Sequence, residues 1–230
     1  MKNINIGLIG FGKIGSGVVS ALLSRNKMLK DKGGVNIRIV RICDKDIRAK
    51  RPVKVNKNLL TKSLSKVLYD PNIHIVVELM GGLRPAKDVV LESLRQGKCV
   101  VTANKALLAD SGHEIFNLAN DLKLTVGFEA SVGGGIPIIR SLKDAFIANK
   151  FERIYGIVNG TSNFILSKMD EEGLKFKDAL AVAQDKGYAE RDPFLDVSGM
   201  DSNHKLAVLA LLGFGIQAGQ GDIYTEGISD

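Results

Sequence analysis

Gly10-Phe11-Gly12-Lys13-Ile14-Gly15 decides how the first half of this 230-residue chain folds. The string is G-x-G-x-x-G, weak alone and informative in its setting. Residues 4–9 before it form an apolar run of strand length. After it, apolar residues fall at Ile14, Val18, Leu22 and Leu29, with Val19 and Leu23 beside them, which is helical spacing over residues 13–29. Strand, glycine turn and helix together make the context in which this fingerprint holds a dinucleotide. Gly10 permits the tight turn, Gly12 lets a pyrophosphate approach the backbone, and Gly15 lets the helix pack closely on the strand. The helix start then offers unpaired N–H groups and a partial positive charge to the phosphates. Phe11, Lys13 and Ile14 fill the fingerprint and join the glycines as candidate cofactor contacts. The competing reading is a tight glycine turn with no ligand.

Working outward, residues 35–43 read as a second strand, and Leu64, Val67 and Leu68 mark a short helix. Residues 73–80 form a third strand, too apolar for a half-exposed sheet and so buried on both faces. Pro85 opens a helix whose apolar face is Val89, Val90, Leu91 and Leu94, and Gly97 ends it. Residues 99–102 are a fourth strand, 105–120 a helix and 124–128 a fifth strand. Alternating β and α with continuous apolar strands predicts an α/β fold, a Rossmann-type doubly wound parallel sheet over residues 1–130. Gly133-Gly134-Gly135 and Pro137 break the pattern. Helices at 138–148, 162–169, 175–186 and 200–212 and a strand at 154–158 predict a second, α+β domain over residues 131–230.

The formal net charge is +7. Between Arg25 and Lys66, fourteen Lys/Arg face three acids (Asp31, Asp44 and Asp46), a local net of +11. Such a field attracts phosphate-bearing ligands or nucleic acid, or is plain solvated surface. No Trp, 6% aromatics and no helix-turn-helix or zinc pattern argue against nucleic acid. Two cysteines, Cys43 and Cys99, suit a reducing cytoplasm and are too few for a zinc site. No apolar run approaches membrane-helix length, and Met1–Ile6 lacks the features of a signal peptide. At the end of the second strand, Asp44 is placed to hydrogen-bond an adenosine ribose, which favours NAD. Lys45, Arg48, Lys50 and Arg51 follow and can neutralise a 2′-phosphate, which favours NADP. The sequence holds both answers, and we expect use of both cofactors.

Glu78-Leu79-Met80-Gly81-Gly82-Leu83-Arg84-Pro85-Ala86, Val101-Thr102-Ala103-Asn104-Lys105, and the run from Glu129 through Ala130-Ser131-Val132-Gly133-Gly134-Gly135-Ile136-Pro137 to Ile139 resemble homoserine dehydrogenases. So do Gly156 through Leu166, Gly187-Tyr188-Ala189-Glu190-Arg191-Asp192-Pro193, and Asp196…Gly199-Met200-Asp201…Lys205-Leu206-Ala207. The blocks follow the family's order across nearly the whole chain. The resemblance implies reversible NAD(P)-dependent interconversion of L-homoserine and L-aspartate 4-semialdehyde, on the aspartate route to threonine, methionine and isoleucine. It also implies a homodimer, in which the second domain is catalytic and dimerising.

By the same resemblance Lys105 and Lys205 are catalytic positions. A lysine there can polarise the substrate oxygen or move its proton, and the sequence does not divide these tasks between the two. Asp201 and Lys205 lie four apart and share a helix face. Spacing alone reads this as a surface ion pair, or reads Ser198–Asp201 as a helix cap; the resemblance makes Asp201 catalytic. Glu190 and Asp196 match substrate-binding acids, suited to the ammonium of homoserine, although Glu190 alone reads as a turn residue beside Asp192-Pro193. Lys105 also matches a substrate contact. Gly81, Gly82, Thr102, Asn104 and Lys105 match the cofactor-facing turns. Glu129, Val132, Gly134 and Ile136 match a region that holds a structural sodium in some relatives, where a hinge is the alternative. Competing functions are a dehydrogenase of another semialdehyde and a catalytically idle dinucleotide-binding regulator. Family members continue well past Gly219–Asp230, so the second domain is expected to be incomplete.

Overall fold

A computed structural model of the chain describes residues 2–229; the two end residues named above, Met1 and Asp230, lie outside it. The chain divides into two compact units between Ser131 and Val132.

The first unit is a six-stranded, wholly parallel sheet ordered β3-β2-β1-β4-β5-β6. β1 is Lys2–Ile9, β2 Val35–Cys43, β3 Leu60–Thr61, β4 Ile75–Glu78, β5 Cys99–Thr102 and β6 Val126–Gly127. The chain runs outward from β1 in one direction, then returns to β4 on its other side. This reversal opens a crevice beyond the carboxyl ends of β1 and β4, where such sheets bind ligands. Leu8, Ile42 and Val76 are wholly buried, as strands covered on both faces require. α3 (Ser65–Leu68) follows β3, α4 (Ala86–Arg95) and α5 (Lys105–Asp121) cover the later crossovers, and each starts within a residue or two of its sequence expectation.

Two expectations change here. The helix over residues 13–29 is broken at Arg25 into α1 (Lys13–Ser24) and α2 (Asn26–Gly33). Asn26 donates its amide to the Ile37 carbonyl of β2, and α2 buries no residue, so the apolar spacing that ran on to Leu29 had no core to serve. β3 was not foreseen. It has two residues, which pair with Ile42 and Cys43, and it is too short to show a period.

The second unit is helical among its described residues. The helix foreseen at 138–148 is one α-turn, α6 (Ile138–Arg140), running into a π-turn at Ser141–Ala145. α7 (Gly160–Glu172), α8 (Phe176–Asp185), α9 (Phe194–Val197) and α10 (Met200–Phe214) follow. Ile165 of α7 and Ala179 and Ala183 of α8 are wholly buried against one another; the isoleucine contributes about 2 kcal/mol by leaving water. The strand expected at 154–158 does not form. Among the described residues no strand of this unit pairs with it, and Tyr155 and Ile157 stand 88% and 78% exposed.

Candidate active site

The glycine turn of the first unit is shaped by contacts its side-chain-free positions allow. Gly10 has φ +97°, and a Cβ there would sit 2.5 Å from the Leu79 carbonyl. A Cβ on Gly15 would lie 2.1 Å from the Gly10 oxygen. At Gly12 a Cβ would meet nothing within 4 Å. Gly12 is also the N-cap of α1 and caps it with no side chain. The first N–H groups of α1 therefore face a bare, exposed approach, which fits a diphosphate. Ile14 is exposed beside it, whereas the Phe11 ring is packed in the core.

Asp44 and Arg51 complete this rim. Asp44 accepts from the Phe11 N–H at 2.6 Å and the Asp46 N–H at 2.8 Å, and Arg51 Nη2 lies 3.2 Å from its Oδ1. The Arg51 guanidinium stacks 4.5 Å over the Phe11 ring and donates to the carbonyls of Phe11, Ala49 and Asp46. Arg51 is thus built into the glycine turn, while the Arg48 side chain is exposed and only its backbone N–H is tied, to Asp46. Of the neighbouring cations, Arg51 is the one with a fixed seat beside Asp44. Cys43, just before it, is buried, and burial together with the Asp44 charge pushes its thiol up from the usual range.

On the other side of β1, the turns after β4 and β5 carry Gly81, Gly82, Asn104 and Lys105. Gly81 and Gly82 have φ +73° and +72°. Thr102 and Asn104 point inward: Thr102 donates to buried Glu78, and Asn104 caps α5 through the Leu107 N–H at 3.2 Å. Lys105 is the first residue of α5.

In the second unit a cavity of about 730 Å³ is lined by Asp196, Asp201 and Lys205, with Asn159, Lys186 and Tyr188 among its other walls. Lys205 Nζ donates to Asp201 Oδ2 at 2.6 Å and to the Val158 carbonyl at 2.6 Å. The shared helix face therefore holds a real pair, with side chains 17% and 8% exposed rather than solvated. The capping reading of Ser198 fails: Gly199 is the N-cap of α10, with no side-chain cap. Asn159 was missed. Its Nδ2 donates to Asp196 at 2.7 Å and Asp201 at 2.8 Å, and its Oδ1 caps α7 through the Ser162 N–H. An Asn directly before Gly-Thr-Ser at a helix start was the available signal. Glu190 is exposed and lies outside the lining of this cavity; its carbonyl accepts from Gln184. Val132, Gly134 and Ile136 belong to this unit and Glu129 to the first. Among the described residues no group of three or more His, Cys, Asp or Glu is placed to hold a metal ion.

Residues 10–129 match the family model described as the NAD binding domain of homoserine dehydrogenase, and residues 137–230 match the model for homoserine dehydrogenase itself. The chain is 41% identical over 229 residues to the homoserine dehydrogenase of Bacillus subtilis, covering 100% of this chain and 53% of that protein. It is 44% identical over 228 residues to that of Synechocystis, covering 98% and 52%. A crystal structure of a homoserine dehydrogenase from Thiobacillus denitrificans superposes with a TM-score of 0.90 at 44% identity, over 100% of this chain and 53% of that one. A hyperthermophilic archaeal homoserine dehydrogenase in complex with NADPH superposes with a TM-score of 0.77 at 25% identity, over 93% and 70%. The chain spans about half the length of the curated relatives it matches. With both family models matched in order and the fingerprint turn folded as they require, this chain belongs to the homoserine dehydrogenase family.

Proposed function

We propose that the chain serves the reversible NAD(P)-dependent oxidation of L-homoserine to L-aspartate 4-semialdehyde. The observation that carries this reading is the Lys205–Asp201 pair lining a polar cavity with Asp196. Bound at the glycine turn, the nicotinamide cofactor supplies or accepts the hydride. An ammonium has three donors, and Lys205 spends two on Asp201 and Val158. The third donor gives the substrate oxygen its proton as the aldehyde is reduced, leaving an amine that takes the proton back when the alcohol is oxidised. Asp201 and the Val158 carbonyl fix the direction of that donor. Asp196 receives the substrate ammonium, and Lys105, by the family resemblance, is a second catalytic lysine. Exposed Glu190 takes part through its loop. Free thiols at Cys43 and Cys99 support a cytoplasmic setting. Exposed Tyr155, Ile157 and Tyr224 support a homodimer joined through the second unit.

The test is steady-state absorbance at the nicotinamide band, with homoserine and each oxidised cofactor. Lys205→Ala lowers kcat by about 10²–10⁴-fold and leaves the cofactor dissociation constant unchanged. A variant that weakens cofactor binding and spares the rate sinks the role given to Lys205. Absence of turnover by the unaltered chain with either cofactor removes the activity from it.

A further inference from the structure

Glu78 closes β4 with its side chain fully buried, and no ion pair reaches it among the described residues. An acid buried without a cation is costly, so its partners bear the explanation. Oε1 accepts from the Met80 N–H at 2.8 Å and from the Gly81 N–H at 3.4 Å. Oε2 accepts from the hydroxyl of Thr102 at 2.6 Å; Thr102 sits opposite it in register on β5. With its proton committed to Glu78, the Thr102 oxygen accepts from the Asn104 N–H at 3.0 Å. Asn104 then donates its amide to the Gly82 carbonyl at 2.6 Å. The bonds form a closed ring: Glu78, Thr102, Asn104, Gly82 and back along the backbone through Gly81 and Met80. It joins the two turns that follow β4 and β5.

The ring has a bare outer side. A Cβ built on Gly81 or Gly82 would meet nothing within 4 Å. Lys105 follows Asn104 directly, so the ring also fixes where α5 begins. Position in the sheet says what these turns face. The glycine turn and Asp44 follow β1 and β2, on one side of the crevice, and take the diphosphate and adenosine. β4 and β5 lie on the other side, so their turns face the remaining half of a dinucleotide.

We propose that Glu78 is a positioning residue for the nicotinamide half of the site, acting through Thr102 and Asn104 on the Gly81–Gly82 backbone and the start of α5; this rests on the dinucleotide reading above. A carboxylate suits the task because it only accepts. An amide in its place sets a donor either against the Met80 and Gly81 N–H groups or against a Thr102 oxygen already accepting from Asn104, and the hydroxyl proton loses its acceptor.

The experiment measures binding of NADPH and of adenosine 2′,5′-bisphosphate, which lacks the nicotinamide half, to the whole chain by calorimetry. Glu78→Gln and Thr102→Val weaken NADPH by about fivefold or more, as expected for one buried group left unpaired, and change the bisphosphate by less than about twofold. Thr102→Ser, which keeps the hydroxyl, recovers most of the affinity that Thr102→Val loses. Equal weakening of both ligands shows a merely structural role and overturns the proposal, as does unchanged NADPH binding. If Glu78→Gln does not fold, the two Thr102 variants decide alone. If the unaltered chain binds neither ligand, the dinucleotide reading itself falls, and the proposal with it.

Discussion

Ser16 and Arg51 show how single side chains on the glycine turn set opposite balances. The Ser16 hydroxyl of α1 is buried with no hydrogen-bond partner among the described residues. A buried hydroxyl left unpaired costs about 1–3 kcal/mol, so Ser16→Ala should stabilise the chain by about 1 kcal/mol, read as a raised urea midpoint at unchanged slope. Arg51 has the reverse role. It neutralises Asp44 and braces the Phe11 carbonyl, so its guanidinium is where a 2′-phosphate finds a seated cation. Arg51→Ala should raise the Michaelis constant for NADP by about tenfold, the loss of one charge-assisted contact, and that for NAD by less. Arg48→Ala, lacking such a seat, should shift the ratio little. Equal losses for both cofactors in Arg51→Ala would mean that it only braces the turn. The sequence showed four cations in this stretch and no means of ranking them, because the ranking comes from the stacking of one of them on Phe11.

Elements were legible where a core enforced their period. β2 and β5 begin and end where the pattern places them, and α4 stops two residues before Gly97. Where little is covered, the pattern misled: α2 buries no residue, and Tyr155 and Ile157 of the 154–158 segment stay exposed. The connection between α4 and β5 gives a test at this scale. Lys98 is buried before β5 and donates to the Asp70 and Ile73 carbonyls, tying that connection to the loop before β4. Burial lowers its pKa from 10.5, and the nearby Asp70 charge offsets this only in part. Between the lowered folded value and 10.5 the unfolded chain binds more protons, so this residue's contribution to stability rises with pH. The stability of the native chain relative to Lys98→Met should therefore be greater at about pH 10 than at about pH 7, measured by urea unfolding. A difference that is flat or falls with pH would refute it.

At the scale of the molecule, the two units divide the chemistry. The first holds the glycine turn, Asp44 and the Glu78 ring; the second holds Lys205, Asp201, Asp196 and Asn159. The parallel sheet and the dinucleotide turn could be read from spacing alone, since both rest on local periods and on glycines without side chains. The acids and lysines proposed for catalysis could not. Lys105, Lys205 and Asp201 were found only by resemblance, because a lysine at a helix start and an acid four residues before another lysine are ordinary surface features in isolation. Spacing alone gives Glu78 no role. Its signal, an acid ending an apolar buried strand, becomes meaningful once its depth is known. The cluster of positive charge before Lys66 is likewise sharpened to the Arg51 guanidinium seated beside Asp44, with Arg48 exposed nearby.

The sheet ends on both sides in strands of two residues, Leu60–Thr61 and Val126–Gly127. So short an edge offers an incoming chain almost no ladder to extend, which guards against polymerisation through the sheet. The extended stretch before Asn159 has no such protection: its backbone is unpaired by any strand among the described residues, and Tyr155 and Ile157 face solvent. Adhesiveness in this molecule is therefore concentrated in a short ribbon of the second unit, and the nucleotide-binding sheet has blunt flanks.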